Sequence, residues 1–201
     1  PTSGFSDWKP GDGNGVRNAE VVALQNAAVR TLALSPILGA IAARLTGSPT
    51  IRYFADTLVD KPGMLSEDES VVGWHTDRAY WGTCTSDNLL TMWIPFQDCT
   101  VEMGPLLYVD GSHRWSGTED LRTFRCKDLG ELERRFPDRA PMTKIPMTLR
   151  RGELSVHHCR LVHGSGPNTG QTPRLALAVH LQDADNRYHL HRNGQGIPWH
   201  I

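Results

Sequence analysis

A histidine and an aspartate stand two positions apart in the segment GWHTDRAYWGT, residues 73–83. Residues with this spacing in a β-strand point to the same side, so His75 and Asp77 can offer one nitrogen and one oxygen to a single ion. A two-residue pattern arises often by chance, and its alternative is a hydrogen bond at the end of a strand. The pair therefore predicts a metal site only if a further ligand comes from elsewhere.

Candidates for that ligand lie in SVHHCRLVHGSGPNTGQTPRL, which contains His157, His158 and His163. Two histidines and one carboxylate on one face of an octahedron form the site of non-haem Fe(II) oxygenases, which leaves positions open for a cosubstrate and oxygen. Adjacent strand residues point in opposite directions, so at most one of His157 and His158 can face the metal. A cupin-type centre usually has histidine at both positions of the first pair, and Asp77 counts against it.

An arginine follows the turn-rich connection GSGPNTGQTP. In the strand predicted there, Arg174, Ala176, Ala178 and His180 share one face, and leucines and valine occupy the other. A buried guanidinium needs an anion, and a dicarboxylate bound to the metal would supply one through two parallel hydrogen bonds. Alternatively, Arg174 pairs with a protein carboxylate or faces solvent. We expect the segments on either side of the turn to pair as antiparallel strands, which would bring His163 close to Arg174.

The elements that must position these residues divide into a helical front and a strand-rich remainder. Residues 18–33 are predicted to form a helix capped by Asn18, and residues 35–47 a second helix that begins at Ser35 and Pro36. Helices do not alternate regularly with the later β-compatible runs, which favours an antiparallel two-sheet barrel with helices packed outside. Those runs are TIRYFADTLV, NLLTMWIPFQD, PLLYVD, TKIPMTLR, GELSVHH and RLALAVHLQ.

Composition limits the possible classes of protein. With 201 residues and a net charge of -1, the chain fits one domain and lacks the basic surface expected of a nucleic-acid-binding protein. We predict a single domain over residues 1–201, with a helical flank at 1–49, a barrel core at 50–201 and a partly helical insert near 117–137. Apolar stretches are interrupted by charge or proline, so no membrane association is expected. The four cysteines contain no CxxC pair, which favours reduced thiols and a cytoplasmic protein.

Three longer motifs resemble the phytanoyl-CoA dioxygenase family of Fe(II)- and 2-oxoglutarate-dependent oxygenases. They are WHTDRAYW, LTMWIPFQDCTVEMGPLLYVDGSHRW and HGSGPNTGQTPRLAL, which occur in the family's order over about half of the chain. The resemblance implies a double-stranded β-helix, a mainly β jelly-roll fold with flanking helices.

The same resemblance implies a ligand set. Iron would be held by His75, Asp77 and His163, because only His163 is followed by G-S-G-x-N and by an arginine eleven residues later. 2-Oxoglutarate would be held by Arg174 with help from Ser165, and O2 would be the oxidant. His157 and His158 are interpreted as supporting or core histidines.

Aromatic residues near the motifs are the predicted substrate contacts. Trp81 follows the H-x-D pair closely enough to overhang the open iron position, and Tyr80 and Trp93 are further candidates. Thr91 shares a strand face with Trp93, so both are expected to point into the barrel, Thr91 toward the cofactor. The alternative is that these are ordinary core aromatics.

Two features bear on the substrate. Halogenases of the family replace the carboxylate ligand with a small residue, so Asp77 favours hydroxylation. The segment LVDKPGMLSEDES, residues 58–70, is predicted to be a mobile loop that closes over substrate. Its acids Glu67, Asp68 and Glu69 would repel coenzyme A, which favours a compact substrate over an acyl-CoA.

The sequence therefore predicts an Fe(II)/2-oxoglutarate dioxygenase that hydroxylates an unactivated C–H bond of a small molecule, with succinate and CO2 as co-products. Two alternatives are a non-catalytic jelly-roll binding protein and a cupin-type metalloenzyme that does not use 2-oxoglutarate. A pure binding protein has no need of the complete set formed by the H-x-D pair, the third histidine and the arginine. The sequence does not indicate an oligomeric state.

Overall fold

A computed structural model describes residues 15–63 and 70–190 of the chain. The strands are β1 (Arg17–Glu20), β2 (Arg52–Lys61), β3 (Val72–His75), β4 (Leu89–Pro95), β5 (Leu106–Val109), β6 (Lys144–Pro146), β7 (Ser155–His158), β8 (His163–Ser165) and β9 (Arg174–Gln182). The helices are α1 (Ala27–Ala33), α2 (Pro36–Thr46), α3 (Asp77–Tyr80) and α4 (Glu131–Arg135), with 3-10 turns at Val22–Leu24, Val101–Met103, Ser112–Arg114 and Pro137–Arg139.

Two antiparallel sheets form the barrel. One has the strand order β1-β2-β9-β4-β7 and the other has the order β3-β8-β5-β6. Each of the six β-compatible runs predicted from the sequence overlaps one of these strands. The predicted mainly β, jelly-roll fold with few helices is confirmed.

The predicted pairing of the segments around the GSGPNTGQTP turn is wrong. β8 pairs with β3 and β5, whereas β9 pairs with β2 and β4 in the other sheet. The turn therefore crosses from one sheet to the other. This is how a two-sheet barrel places His163 and Arg174 on walls that belong to different sheets.

The predicted helix over residues 18–33 is also wrong at its start. Asn18 lies in β1, opposite Val59 of β2, and helix α1 begins only after Asn26. The side chain of Asn26 accepts hydrogen bonds from the backbone N–H groups of Ala28 and Val29, so Asn26 is the N-cap. Pairing with the long edge of β2 overrides the helical spacing of the apolar residues.

Helix α2 follows the prediction. Pro36 occupies the first turn, and Gly47 ends the helix at φ 69, a left-handed conformation that favours glycine. By length and composition the stretch Ala27–Thr46 is apolar enough to cross a membrane. This signal is weak, and Leu38 and Ala42 of the same stretch pack into the core. The absence of membrane association stays a prediction.

The two faces of β9 differ as the sequence predicts. Leu177, Val179 and Leu181 pack with Leu38 and Ala42 of α2 in a core between the helices and the five-stranded sheet. Burial of this apolar face holds the helices on the outside of the barrel. The opposite face of β9, with Arg174, Ala176, Ala178 and His180, is left for the interior.

The loop predicted at residues 58–70 starts later than expected, because β2 continues to Lys61. Glu67, Asp68 and Glu69 lie outside the described residues, and the prediction that they form a lid stays untested. The insert near 117–137 contains α4 and lies against β3. A Cβ on Gly73 would stand 2.0 Å from the Thr123 carbonyl oxygen, so only glycine permits this approach.

Candidate active site

The three predicted metal ligands converge in the structure. His75 ends β3, Asp77 begins α3, and His163 begins β8 opposite His75 in the β3–β8 ladder. One ligand atom from each of the three lies within 4.8 Å of the others. Asp77 is not in a strand, because the chain turns into α3 at Thr76, whose hydroxyl oxygen accepts the Ala79 N–H. His75 and Asp77 still approach the same site, as the H-x-D spacing predicts, although Asp77 lies at the N-terminus of a helix and not in a strand.

Backbone hydrogen bonds orient both imidazoles. The Nδ1 of His75 lies 2.8 Å from the Gly73 carbonyl oxygen, and the Nδ1 of His163 lies 2.9 Å from that of Leu161. Each Nδ1 therefore carries the hydrogen, and each Nε2 keeps a lone pair for a metal. Burial lowers the pKa of His75, and it lowers the pKa of His163 to about 4. Both rings are neutral at physiological pH, as metal binding requires.

Asp77 is held as a carboxylate. Burial by itself would raise its pKa, but His163, the hydrogen bond from His157 and the nearby His180 together bring the pKa well below its usual range. Its Oδ1 lies 3.6 Å from the Nε2 of His163. The donor set is thus two neutral imidazoles and one carboxylate in a buried position, which fits a divalent first-row metal such as iron.

The second oxygen of Asp77 is occupied by two supporting side chains. The Thr91 hydroxyl donates to Oδ2 at 2.5 Å, and His157 Nε2 lies 3.1 Å from the same atom. His157 is in turn bonded through Nδ1 to the Tyr108 hydroxyl at 2.7 Å, and His180 Nδ1 lies 2.9 Å from the Thr91 oxygen. These contacts fix the carboxylate so that Oδ1 is the oxygen nearer His163.

Two sequence predictions can be compared with this network. His157 contacts a metal ligand without joining the convergent set, and its neighbour His158 points elsewhere, with its ring 6.0 Å from that of His113. This agrees with the interpretation of both as supporting or core histidines. The Thr91 hydroxyl donates its hydrogen to Asp77, so Thr91 supports a candidate metal ligand, and its contact with the cosubstrate stays a prediction.

Arg174 is buried, with 1% of its surface exposed. Its guanidinium donates to the Gly104 carbonyl and lies 5.2 Å from the centre of the Trp93 ring. Its Nε has no hydrogen-bond partner, and no ion pair joins it to a carboxylate within residues 15–63 and 70–190. A buried cation with an unsatisfied N–H fits an anionic ligand better than a purely structural role.

A second buried cation was missed by the sequence analysis. Lys61 is 0% exposed and pairs directly with Arg174 in the β2–β9 register. Its Nζ donates to the Ser165 hydroxyl at 2.6 Å and to the Gly166 carbonyl at 2.5 Å, while Asn168 donates to the Lys61 carbonyl at 3.1 Å. The G-S-G-x-N motif therefore encloses this lysine. Burial, followed by repulsion from Arg174, lowers the pKa of Lys61 from 10.5 to about 6.

A sequence signal for Lys61 exists in the alternation of β2. Ala55, Thr57 and Val59 line the cavity, and Lys61 follows at the same two-residue spacing. The pattern indicates an inward-facing lysine once the direction of β2 is known. The sequence alone does not give that direction, because both faces of β2 carry polar and apolar residues.

One cavity of about 630 Å³ contains the metal ligands and the predicted substrate contacts. Trp81, Tyr80 and Trp93 all line it, as does Thr91. The Trp81 ring lies 5.0 Å from that of His180 and 5.2 Å from that of Phe54, which fixes the indole at the wall. Trp93 is the aromatic residue that also contacts Arg174, so it stands at the cationic end of the cavity.

Solved structures with this fold define the class of protein. The epimerase SnoN from nogalamycin biosynthesis, solved with Fe3+, alpha ketoglutarate (2-oxoglutarate) and nogalamycin RO, is 28% identical, with a TM-score of 0.69 over 90% of this chain and 69% of its own. The alpha-ketoglutarate-dependent carbocyclase SnoK is 27% identical, with a TM-score of 0.71 over 88% of this chain and 69% of its own. The class is that of non-haem iron, 2-oxoglutarate-dependent oxygenases.

The family follows from the sequence match. Residues 3–176 match the phytanoyl-CoA dioxygenase (PhyH) family, and the chain belongs to it. A curated relative, the phytanoyl-CoA dioxygenase domain-containing protein 1 homolog of Caenorhabditis briggsae, is 29% identical over 119 residues, which cover 56% of this chain and 41% of the relative. The chain spans about two fifths of the length of such relatives. His75, Asp77 and His163 are the candidate iron ligands.

Proposed function

We propose that this chain oxidises an unactivated C–H bond of a small molecule, with 2-oxoglutarate and O2 consumed and succinate and CO2 released. Hydroxylation is the proposed outcome. The observation that carries the proposal is one cavity in which His75, Asp77 and His163 converge, beside a buried pair of cations that no carboxylate of residues 15–63 and 70–190 neutralises.

The chain's own residues perform three tasks in this proposal. The carbonyls of Gly73 and Leu161 aim the Nε2 atoms of the two histidines, and Thr91 and His157 hold Asp77 with Oδ1 facing inward. Bound iron with 2-oxoglutarate and O2 supplies the oxidising chemistry. The protein holds the ligands in place before the metal arrives, which reduces the reorganisation that binding requires.

The second task is to bind the far carboxylate of 2-oxoglutarate. Arg174 offers its unsatisfied Nε, and Lys61 on the neighbouring strand adds a second positive charge when the bound carboxylate favours its ammonium form. Ser165 accepts from Lys61 Nζ and so keeps the ammonium directed into this corner. A carboxylate placed here would offset the repulsion between the two cations, which explains why both are tolerated inside the protein.

The third task is to position substrate and exclude water. Trp81 and Tyr80 form apolar walls beside the triad, and Asp77 keeps the carboxylate that a halogenating site would lack. Related folds serve an epimerase and a carbocyclase, so hydroxylation rests on this chain's ligand set rather than on those relatives. A cytoplasmic location remains part of the proposal, in keeping with four unpaired cysteines.

The test is anaerobic addition of Fe(II) and then 2-oxoglutarate to the protein. We expect the weak visible charge-transfer band of an iron–2-oxoglutarate chelate, followed by succinate formation when O2 is admitted. Asp77→Ala should give neither signal. Absence of the band in the unaltered protein, although Fe(II) binds, would contradict the proposal and favour a metalloprotein that does not use 2-oxoglutarate.

A further inference from the structure

One wall of the cavity is formed by the five-stranded sheet, and its register gathers polar side chains there. Asn18 and Glu20 lie two residues apart in β1, and Glu20 pairs with Thr57 of β2. Thr57 pairs in turn with Ala178 of β9, and His180 follows two residues later on the same face. Asn18, Thr57 and His180 therefore line the same cavity as the metal triad, from the sheet that does not carry its two histidines.

Hydrogen bonds determine which nitrogen of His180 carries the hydrogen. The Thr91 hydroxyl donates to the Asp77 carboxylate, which can only accept. The Thr91 oxygen therefore accepts from Nδ1 of His180, which lies 2.9 Å away. Burial lowers the pKa of His180, so the ring is neutral at physiological pH. Its Nε2 consequently keeps a lone pair.

The lone pair on Nε2 of His180 receives no hydrogen from the described part of the protein. The Thr57 oxygen lies 3.4 Å from Nε2, but the single hydroxyl hydrogen of Thr57 is donated to Glu20 at 2.8 Å. An oxygen whose hydrogen is already used cannot donate to a lone pair. Within residues 15–63 and 70–190, Thr57 is the one group in hydrogen-bond range of Nε2. His180 therefore offers the cavity an unused acceptor.

A second unused acceptor lies on the same wall. Oδ1 of Asn18 is buried and has no hydrogen-bond partner among the residues that the structure describes. Burying an amide oxygen in this state costs stability, so native proteins rarely keep one without a reason. Because Asn18 lines the cavity, a bound molecule that donates a hydrogen bond to Oδ1 would satisfy it.

The surface between the two acceptors is mostly apolar. Strand β2 lies between β1 and β9, so Asn18 and His180 are two strand spacings apart, at least about 10 Å. The apolar side chains that line the cavity in this interval are small, namely Ala55, Val59 and Ala178. The centre of the Trp81 ring lies 5.0 Å from that of His180. A carbon skeleton fits between the acceptors, whereas a single polar group cannot reach both.

We infer that the substrate carries at least two hydrogen-bond donors, hydroxyl or amino groups, one of which binds Nε2 of His180 and another Oδ1 of Asn18. This inference rests on the proposed function and names the substrate class of the same site. Contacts at two points fix the carbon skeleton and so orient one C–H bond toward the triad. A molecule without these donors would leave both acceptors unpaired, so the site discriminates against it.

The experiment uses the anaerobic 2-oxoglutarate complex with saturating Fe(II) and follows the charge-transfer band. The probes are linear alkanes with a hydroxyl at each end, from butanediol to decanediol, and the corresponding diamines. Difluoroalkanes of the same lengths keep the size of the probe and lose both donors. The variants are His180→Phe and Asn18→Leu. His158→Phe is the matched control, because it makes the same change at a histidine outside the cavity lining.

We expect at least one diol or diamine to perturb the band, and the difluoroalkane of that length to bind about a hundred-fold more weakly, about ten-fold for each lost hydrogen bond. His180→Phe and Asn18→Leu should each weaken the diol or diamine about ten-fold and leave the difluoroalkane unchanged. His158→Phe should change neither. Binding by diols identifies hydroxyl groups as the donors, and binding by diamines alone identifies amino groups. If His180→Phe does not give the band, His180→Leu takes its place.

Three results would overturn the inference while the proposed function stands. They are equal binding of the donor probes and the difluoroalkanes, an unchanged preference for donors in His180→Phe or in Asn18→Leu, and no donor probe bound at millimolar concentration although the band forms. If the band does not form in the unaltered protein, the proposed function fails and the inference falls with it.

Discussion

Lys61 and Arg174 lie directly opposite each other on the antiparallel strands β2 and β9, and both side chains are buried. Burial and the charge of Arg174 disfavour the ammonium form of Lys61, so the protein without a ligand carries an unfavourable electrostatic term. A carboxylate bound between them removes that term. The pair is therefore a feature of a binding site for a small anion, and it should affect both the stability of the protein and its affinity for 2-oxoglutarate.

Replacement of either Lys61 or Arg174 should weaken the binding of 2-oxoglutarate. Arg174→Ala is expected to raise the KM for 2-oxoglutarate about 10- to 100-fold, because a charge-assisted contact is worth about 1.5–3 kcal/mol, and to change the KM for the main substrate far less. Arg174→Lys should restore part of the affinity, since a lysine lacks the planar fork. Equal effects on both KM values would show that Arg174 is structural.

Lys61→Met separates binding from stability. Without 2-oxoglutarate this variant should melt at a higher temperature than the unaltered protein, because the cost of burying Lys61 beside Arg174 is gone. The further rise in Tm produced by added 2-oxoglutarate should shrink. A lower Tm without ligand would mean that the hydrogen bonds of Lys61 to Ser165 and Gly166 outweigh the repulsion.

The pKa of Lys61 predicts the pH dependence of both quantities. The group titrates near 10.5 when unfolded and at about 6 when folded, so between these values the unfolded chain binds the additional proton. The free energy of unfolding without 2-oxoglutarate should therefore rise with pH across this window. The affinity for 2-oxoglutarate should fall as pH rises above about 6, because the ligand favours the ammonium form. Titrations of Lys61→Met should lack this slope, and an identical slope would assign it to another group.

Removal of a metal ligand should abolish turnover. His163→Ala and Asp77→Ala are expected to lose Fe(II) binding and succinate formation, because two remaining protein ligands do not complete the site. His158→Ala is the matched control, since it removes a neighbouring histidine that points away from the triad. Calorimetric titration with Fe(II) measures the binding. Retained turnover in Asp77→Ala would count decisively against the assignment.

The hydrogen bonds that hold Asp77 should increase the affinity of the site for Fe(II). Thr91→Val and His157→Phe each remove one hydrogen bond to Oδ2, and we expect Fe(II) to bind about 10- to 100-fold more weakly in each. The KM for 2-oxoglutarate at saturating Fe(II) should stay close to that of the unaltered protein. If instead Thr91→Val raises that KM specifically, Thr91 contacts the cosubstrate as the sequence analysis predicted.

Stability of the barrel should depend on the outer face of β9. Leu177 is 0% exposed in the core beneath α2, so Leu177→Ala is expected to lower the free energy of unfolding by about 2–5 kcal/mol, measured by urea denaturation. Because Leu177 points away from the cavity, the affinity of the folded protein for 2-oxoglutarate should not change. A large loss of affinity would show that the two faces of β9 are coupled.

The sequence alone determined the local features of this protein. Alternation in RLALAVHLQ predicted which side of β9 faces the core, and the resemblance of three motifs to the family implied His75, Asp77, His163 and Arg174. These features depend on residues that are close along the chain, because the two-residue repeat of a strand and the turns formed at glycine and proline are set locally. Their agreement with the structure reflects this short range.

Only the tertiary structure decided what depends on contacts between distant segments. The crossing of the GSGPNTGQTP turn from one sheet to the other, the burial of Lys61 beside Arg174, and the meeting of Asn18 and His180 on one wall of the cavity join residues far apart in sequence. The Asn18 segment became a strand because β2 offered it a partner. Local propensities differ by less than the free energy of pairing and burial, so the choice between alternatives is made when the sheets assemble.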